Sequence, residues 1–521
     1  MRNKQINGYR GIWFALNQKY VYGDKYSGAL ATYTSKHRPL AVYAKEVDKT
    51  FFVYGGSTGK LNSSLFCMIG SYDHATGMVS KPVVVYDKKG VNDPHDNPTL
   101  QIDNEGYLWV FVSGRRNDRP GIKLKSLRPY DLSEFDIVSE ETFTYPQIWV
   151  GDSAFLHFFI KYTGTRELYF ESSADGKEWT EHKKLAGIRT EGSRLTGHYH
   201  VSDIYKGGTI AGTFFNRHIN GEPDKRTDLY YIESRDQGNS WTNANNEPLD
   251  IPVTKVTSAA RVTDYASQGK NVYLKDMSYD DEGNPYCLFI VSEGHQPGPE
   301  NNPYEWKIAF FRDGEWTIRS VTISDHNYDM GSLYINNGRW RVVAPTEITV
   351  QPWEVGGEVV IWESRNQGRT WSRIFDVTRN SLVNHSYVRR PVNYKAPFCF
   401  FWSTGHPHER STSQLYFGDF EGNHWKLPFN MERDFEVPEH VDSFRELELS
   451  VYPNPVAQFI NLQIDQQIQS VQIYDQSGRL VLQKNNNQTG LRLNVSQLNA
   501  GFYFISVKTY RKTFHKRFIK S

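Results

Sequence analysis

Along most of the chain, apolar residues alternate with polar ones in short runs broken by Gly, Asn, Asp and Pro, and helical spacing of apolar positions is nearly absent. A period of two predicts strands. The runs recur as a unit: a polar residue opens an apolar strand, a turn follows, a second apolar strand runs, and a Gly- or Thr-rich exit closes it. Clear copies begin at His37 (HRPLAVYAKEVDKTFFVYGG), His95 (HDNPTLQIDNEGYLWVFVSG), His200 (HVSDIYKGGTIAGTFFN), Asp276 (DMSYDDEGNPYCLFIVSEG), Asp329 (DMGSLYINNGRWRVVAPT) and His385 (HSYVRRPVNYKAPFCFFWSTG), with a weaker one near Tyr145 (YPQIWVGDSAFLHFFIKYTG). The seven copies lie about 50 to 60 residues apart, the length of a four-stranded propeller blade with generous loops. The wider interval between His200 and Asp276 predicts an insertion around Pro252–Gln268. The pattern therefore predicts an all-β chain: a seven-bladed β-propeller over residues 1–435, an acidic linker over 436–446 and a small β-sandwich C-terminal domain over 447–521. An array of sandwiches is the more distant alternative.

A second signature supports the repeats. ESRDQGNSW (Glu233–Trp241) and ESRNQGRTW (Glu363–Trp371) fit the Asp-box pattern Ser-x-Asp-x-Gly-x-x-Trp, with Asn366 at the acidic position of the latter; SSADGKEW (Ser172–Trp179) is a shortened copy. In such a turn the Ser and Asp side chains bond the backbone, Gly takes the positive φ and Trp packs on the hairpin. The motif supports the fold and specifies no reaction.

Composition narrows the function. With 60 basic and 59 acidic residues the net charge is +1, so neither a nucleic-acid partner nor a membrane role is called for, and any anion must be held by a local cluster. Aromatic residues make up 14% of the chain, which suits stacking on sugar faces, although most are accounted for as good strand formers. Cys67, Cys287 and Cys399 are odd in number and well separated, which predicts buried free thiols. No apolar run is long enough for a transmembrane helix. The opening MRNKQINGYRGIWF has no signal-peptide stretch, so a leader missing from this chain is expected if the protein is exported.

Propeller ligands bind where the innermost strands converge, so the residues opening and closing each repeat are the candidates. They include His37, His95, Asp96, His198, Tyr199, His200, Asp276, His326, Asp329, His385 and Tyr387, with Arg115, Arg116, Arg217, His218, His295 and His406 at the exits. Strand alternation sets Tyr199 against His198 and His200: one face receives the tyrosine, the other the two histidines. His326 and His385 are balanced between pocket and packing, and Arg389 with Arg390 reads as a solvated pair. Imidazoles, a tyrosine and arginines around one pocket suit β-elimination from a uronic acid. That reaction needs a donor on the carboxylate, a base for the C5 proton and an acid for the leaving oxygen. No His, Cys and Asp grouping has firm metal spacing; no cofactor is expected, and a structural calcium or zinc ion is left open without a motif to carry it.

Two resemblances sharpen this. The last 75 or so residues, with Tyr452-Pro453-Asn454-Pro455, the Tyr474–Val481 hairpin and Leu498-Asn499-Ala500-Gly501-Phe502-Tyr503 before a basic final strand, resemble the C-terminal sorting domain of type IX secretion substrates. That implies export by the type IX machinery to the surface or surroundings of a Gram-negative bacterium. The segments GYRGIWF, KYSGALATYTSKHRPLAVYAKEVDKTFFVYGG, DPHDNPTLQID and RLTGHYHVSD resemble BNR-type propellers that include the ulvan lyases of polysaccharide lyase families twenty-four and twenty-five.

The lyase resemblance implies an anionic polysaccharide substrate, and a monomer is expected. It makes His95 in HDNP an active-site histidine, Tyr199 in GHYH the base or acid, and Arg217 in FFNRH the carboxylate-neutralising arginine. Arg115, in SGRR, stands where a second histidine is expected, and joins His200, His326 and His385 as a substrate-binding candidate. Two other classes stay open: a propeller glycosidase (an exo-α-L-rhamnosidase or a sialidase-like enzyme) and a non-catalytic glycan-binding propeller. The sialidase pattern of an arginine triad with an Arg-Ile-Pro entry is not found.

Overall fold

The computed structural model describes residues 3–19, 24–34, 36–58, 64–190, 196–336, 338–349, 351–406, 411–441, 449–464, 467–486, 488, 490–509 and 513–521. They form strands, with short 3-10 turns and no α-helix among them. The chain divides into two compact units, residues 1–441 and 442–521.

In the first unit, besides the Trp13–Lys19 and Asp24–Gly28 hairpin, seven sheets of four to six strands, antiparallel but for one parallel pairing, follow one another along the sequence. Their opening strands are Ala41–Ala44, Pro98–Ile102, Thr144–Val150, His200–Tyr205, Asn271–Tyr279, Ser332–Asn336 and Asn384–Arg389. From its opening strand each sheet begins as a meander, as short turns between alternating strands dictate.

Every residue of Leu108–Val112, Asn271–Tyr279 and Pro285–Ser292 is buried. Strands covered on both faces carry near-continuous apolar runs, which explains stretches such as YCLFIV. Hydrogen bonds tie opening segments of different sheets: Leu100 N–H to Pro39 O, Ile148 N–H to Arg38 O, the Gln147 side chain to His200 O, Leu333 N–H to Asp276 Oδ2 and Ser332 Oγ to Val388 O. Val392, just past the last opening strand, exchanges backbone bonds with Ala41 and Tyr43 of the first sheet.

The Ser-x-Asp-x-Gly-x-x-Trp turns have the anticipated bonding. Ser234 Oγ accepts from Gly238 N–H at 2.7 Å, Asp236 accepts from Ser240 N–H, and Trp241 Nε1–H donates to Gly238 O. At Gly238, φ is +91° and a Cβ would lie 2.1 Å from the Phe170 ring, so both backbone and space demand glycine. Asn366 does the work of the acid through its carbonyl, which accepts from Thr370 N–H at 2.9 Å. All three cysteines are buried and free.

Three expectations change in detail. The stretch around Pro252–Gln268 is not a detached excursion. Val253–Lys255 pairs in parallel with Lys183–Arg189 of the preceding sheet, and Arg261–Thr263 supplies the fourth strand of its own. The supposed linker is partly strand: Phe435–Glu436 pairs with Met78–Ser80, and Glu439–Val441 with His424–Lys426. Residues 442–446 of the supposed linker lie outside the described residues. Arg389 and Arg390 are not a solvated pair. Arg389 is buried and donates to Leu30 O, while Arg390 donates to Asp203 at 2.9 Å.

In the second unit a three-stranded and a four-stranded antiparallel sheet share one apolar core that includes Ile460, Val471, Ile505 and Phe518. Asn454 of the YPNP segment accepts the Ile519 N–H at 2.8 Å, which pins that loop to the final strand.

Candidate active site

Several opening segments bring their first side chains together. Tyr199, immediately before its strand, lies with its ring 4.6 Å from His218 and 5.7 Å from Tyr145. The His95 ring lies 5.9 Å from Tyr145 and 5.7 Å from Tyr33, whose ring in turn meets Tyr328 at 5.7 Å. Arg226 is 2% exposed, and its guanidinium carbon lies 4.5 Å from the Tyr199 ring centroid, with Tyr273, Tyr328 and Tyr33 between 5.1 and 5.7 Å. One continuous cluster thus joins His95, Tyr33, Tyr145, Tyr199, His218 and Arg226. Tyr145 takes a positive φ of 54°, an uncommon conformation for a bulky residue and one found often at functional positions.

The electrostatics are those of an anion site. The guanidinium groups of Arg115, Arg119, Arg166 and Arg226 outnumber the nearby carboxylates of Asp93, Asp96 and Asp224. Arg166 is held firmly in its charged form, first by the Tyr199 phenol beside it and against the pull of burial. Burial, and then neighbouring phenols, push Tyr33 and Tyr145 well above the ordinary tyrosine range, so both are hydroxyl donors at neutral pH. Burial, then Arg226 and Arg166, hold His218 well below the ordinary histidine range and keep it neutral. The Tyr199 hydroxyl and both His218 nitrogens are buried without a hydrogen-bond partner among the described residues. Such groups are costly to leave unpaired unless something else meets them.

His95 opens on a one-turn 3-10 segment, Pro94–Asp96, capped by Asp93. The same Asp93 oxygen, Oδ1, accepts the His95 backbone N–H at 3.0 Å and meets Nδ1 at 2.5 Å. The other oxygen accepts from Arg119 at 2.8 Å and Arg115 at 3.2 Å. His95 Nε2 has no partner among the described residues.

Of the residues chosen from sequence, His95 and Tyr199 fall in this cluster, and Arg115 sits at its edge, half-exposed, on Asp93. His326 adjoins it through Tyr328: its Nδ1 accepts the Tyr328 N–H at 2.9 Å and the two rings lie 5.5 Å apart. The remaining three are placed elsewhere. Arg217 donates to Asp228 at 2.6 Å, and Asp228 also caps Tyr265 and Ala266, tying the strand to the insertion. Since His218 faces Tyr199, alternation turns Arg217 away. His200 is buried on the other side from Tyr199, held below the ordinary range by burial and then by Lys36. His385 bonds Trp402 and Ser381 and packs on Tyr416.

Sequence reasoning missed Tyr33, Arg166, Arg226 and Asp93. Arg226 opens a third strand rather than a first, so no repeat position marks it. Asp93, two residues ahead of His95, carried a readable capping signal.

Two other features lie apart from the cluster. A cavity of about 560 Å³ lies where opening strands end; among its lining residues Arg390 pairs with Asp203 at 2.9 Å, and Arg38 pairs with Asp276, which is not part of the lining, at 2.8 Å. Glu141, Glu171 and His182 bring their ligand atoms within 4.8 Å of one another, a spacing that could hold a metal ion. Lys123 Nζ already bonds both carboxylates at 3.0 Å, and Lys161 meets His182 at 2.8 Å, so lysine supplies the positive charge there.

Comparison with known proteins agrees with the fold. Residues 62–324 match the BNR repeat-containing family, and residues 450–521 match the secretion system C-terminal sorting domain. The chain belongs to the BNR repeat-containing family and carries a secretion sorting tail. It is 22% identical over 363 residues to an ulvan lyase of Alteromonas sp. (strain LOR), covering 60% of this chain and 71% of that one. It is 23% identical over 377 residues to an ulvan lyase of Nonlabens ulvanivorans, covering 62% and 75%. A solved PL25 ulvan lyase bound to -[GlcA(1-4)Rha3S]- superposes with a TM-score of 0.62 at 16% identity, over 80% of this chain and 96% of that one.

Proposed function

We propose that the protein is a secreted polysaccharide lyase that cleaves a uronate-containing anionic polysaccharide, with ulvan the best candidate, by β-elimination. One observation carries the reading: His95 and Tyr199, two groups able to move protons, share an aromatic cluster in which guanidinium groups outnumber carboxylates. An arginine on the uronate carboxylate drains charge from C5 and makes its proton acidic; His95 and Tyr199 then divide the roles of base and acid. Arg115, Arg166 and Arg226 are the arginines for that task, rather than Arg217, which is committed to Asp228. Most glycosidases use two carboxyl groups flanking the scissile bond. Asp93 and Asp224 are engaged instead with His95 and Tyr328, which favours elimination.

In this reading the seven sheets are the blades of one closed propeller, a ring supported by the bonds from Val392 to Ala41 and Tyr43. The three Ser-to-Trp turns are its Asp boxes. The enzyme works as a monomer without a cofactor, and its tail delivers it to the surface or surroundings of a Gram-negative bacterium.

The test is incubation with ulvan and related uronate glycans, following the ultraviolet absorbance of the unsaturated uronate together with new reducing ends. Both should rise together. Reducing ends without the absorbance would mean a hydrolase, and binding with neither signal a glycan-binding propeller.

A further inference from the structure

Asp93 is the carboxylate that meets the His95 ring. It is held from both sides: Oδ1 by the His95 backbone and ring, Oδ2 by Arg119 and Arg115, so it cannot swing away. Arg119 is itself fixed by Asp96 at 2.9 Å, and Asp96 by Lys88 at 2.9 Å. Burial opposes ionisation of Asp93, yet the bonds from His95 and Arg119 hold it well below the usual carboxylate range. An ionised carboxylate only accepts hydrogen bonds, so the ring nitrogen facing it carries the hydrogen. In neutral His95 that hydrogen is on Nδ1, and the lone pair is on Nε2, which is buried and unpartnered among the described residues.

Resting on the lyase reading above, we infer that Asp93 is a positioning residue that fixes the Nδ1–H tautomer of His95 and thereby makes Nε2 the base. Nε2 takes the C5 proton of the uronate, and the C5–H electron pair becomes the C4–C5 double bond. The C4–O pair departs with the glycosidic oxygen, which takes the Tyr199 hydroxyl proton. The imidazolium so formed lies against the Asp93 carboxylate and is stabilised by it. When product leaves, the imidazolium proton returns through solvent to the Tyr199 oxygen, and the site is restored. Arg115, standing where relatives are expected to place a second histidine, grips the far oxygen of the same carboxylate and adds to its fixity.

The experiment uses the full chain labelled with heavy nitrogen in histidine, with His95→Gln to assign the signal. A long-range proton–nitrogen correlation spectrum reads which ring nitrogen of His95 bears the hydrogen. The expected result is Nδ1–H in the native protein and loss of that preference in Asp93→Asn. In Asp93→Asn, kcat on ulvan should fall about 100-fold, the scale of a misplaced general base, with most of the loss in kcat rather than KM. Asp93→Glu should restore much of both. Arg115→Ala should raise KM and leave the tautomer in place.

A native spectrum with Nε2–H, or an unchanged tautomer in Asp93→Asn, would overturn the inference. The native spectrum decides even if Asp93→Asn fails to fold. It also decides if ulvan is not cleaved, an outcome that would count against the lyase reading alone.

Discussion

His95, in the 3-10 turn ahead of Pro98–Ile102, and His385, within Asn384–Arg389, both lie near the start of a sheet's opening strand, yet their surroundings give them opposite properties. His385 Nδ1 accepts the Trp402 indole N–H at 2.7 Å, and its Nε2 bonds Ser381 Oγ at 2.8 Å. Every polar atom of that ring is satisfied, and burial pushes its pKa down to about 3. His95 meets a carboxylate instead of an indole. Its Nδ1 lies on Asp93, its ring packs near Tyr33 and Tyr145, and its Nε2 has no partner among the described residues. A repeat position places a histidine near the start of an opening strand, but in the proposed reading the partner on Nδ1 decides whether it packs or reacts.

That contrast can be broken at several points. The largest effect is expected for His95→Ala and Tyr199→Phe, each lowering turnover of ulvan by about 10²- to 10⁴-fold with little change in melting temperature. His385→Ala should do the reverse. Its loss leaves the Trp402 N–H buried and unpaired, at a cost of about 1–3 kcal/mol in stability, while the chemistry persists.

The acid limb of the stability profile gives the next test. Between the ordinary 6.5 and about 3, the unfolded chain binds a proton at His385 that the folded chain does not. Its contribution is therefore complete above pH 6.5 and is lost as pH falls towards 3. His385→Gln should remove about one proton from that slope, as read by denaturant unfolding at a series of pH values; an unchanged slope would show that His385 is not held neutral.

A smaller effect is expected far from the cluster. Gly238→Ala forces a side chain onto a positive φ and into Phe170, and should cost about 2 kcal/mol without altering kcat. A loss of activity at constant stability would mean that the turn does more than support the fold.

The same contrast explains what could be read from the chain. The period of two, the seven repeats and the Ser-to-Trp turns are local features, so they predicted the strands, and the turns kept the predicted bonds. Local alternation also separated Tyr199 from His198 and His200. Applied once more, it would have turned Arg217 away as soon as His218 was set beside Tyr199. What stayed hidden was non-local. Arg226 is a functional candidate only because Tyr33, Tyr199, Tyr273 and Tyr328, from distant parts of the sequence, wrap it. His385 is a packing residue only because Trp402 and Tyr416 close on it. The short strands at Phe435–Glu436 and Glu439–Val441 carry no periodicity of their own and are defined by their partners.

The most direct test of the account sets Tyr199→Phe beside His385→Ala, measuring for each the initial rate of unsaturated uronate formation from ulvan and the melting temperature. The account predicts a crossed pattern: Tyr199→Phe folded and nearly inactive, His385→Ala less stable but active wherever it is folded. Parallel losses in both variants, or a fully active Tyr199→Phe, would contradict it.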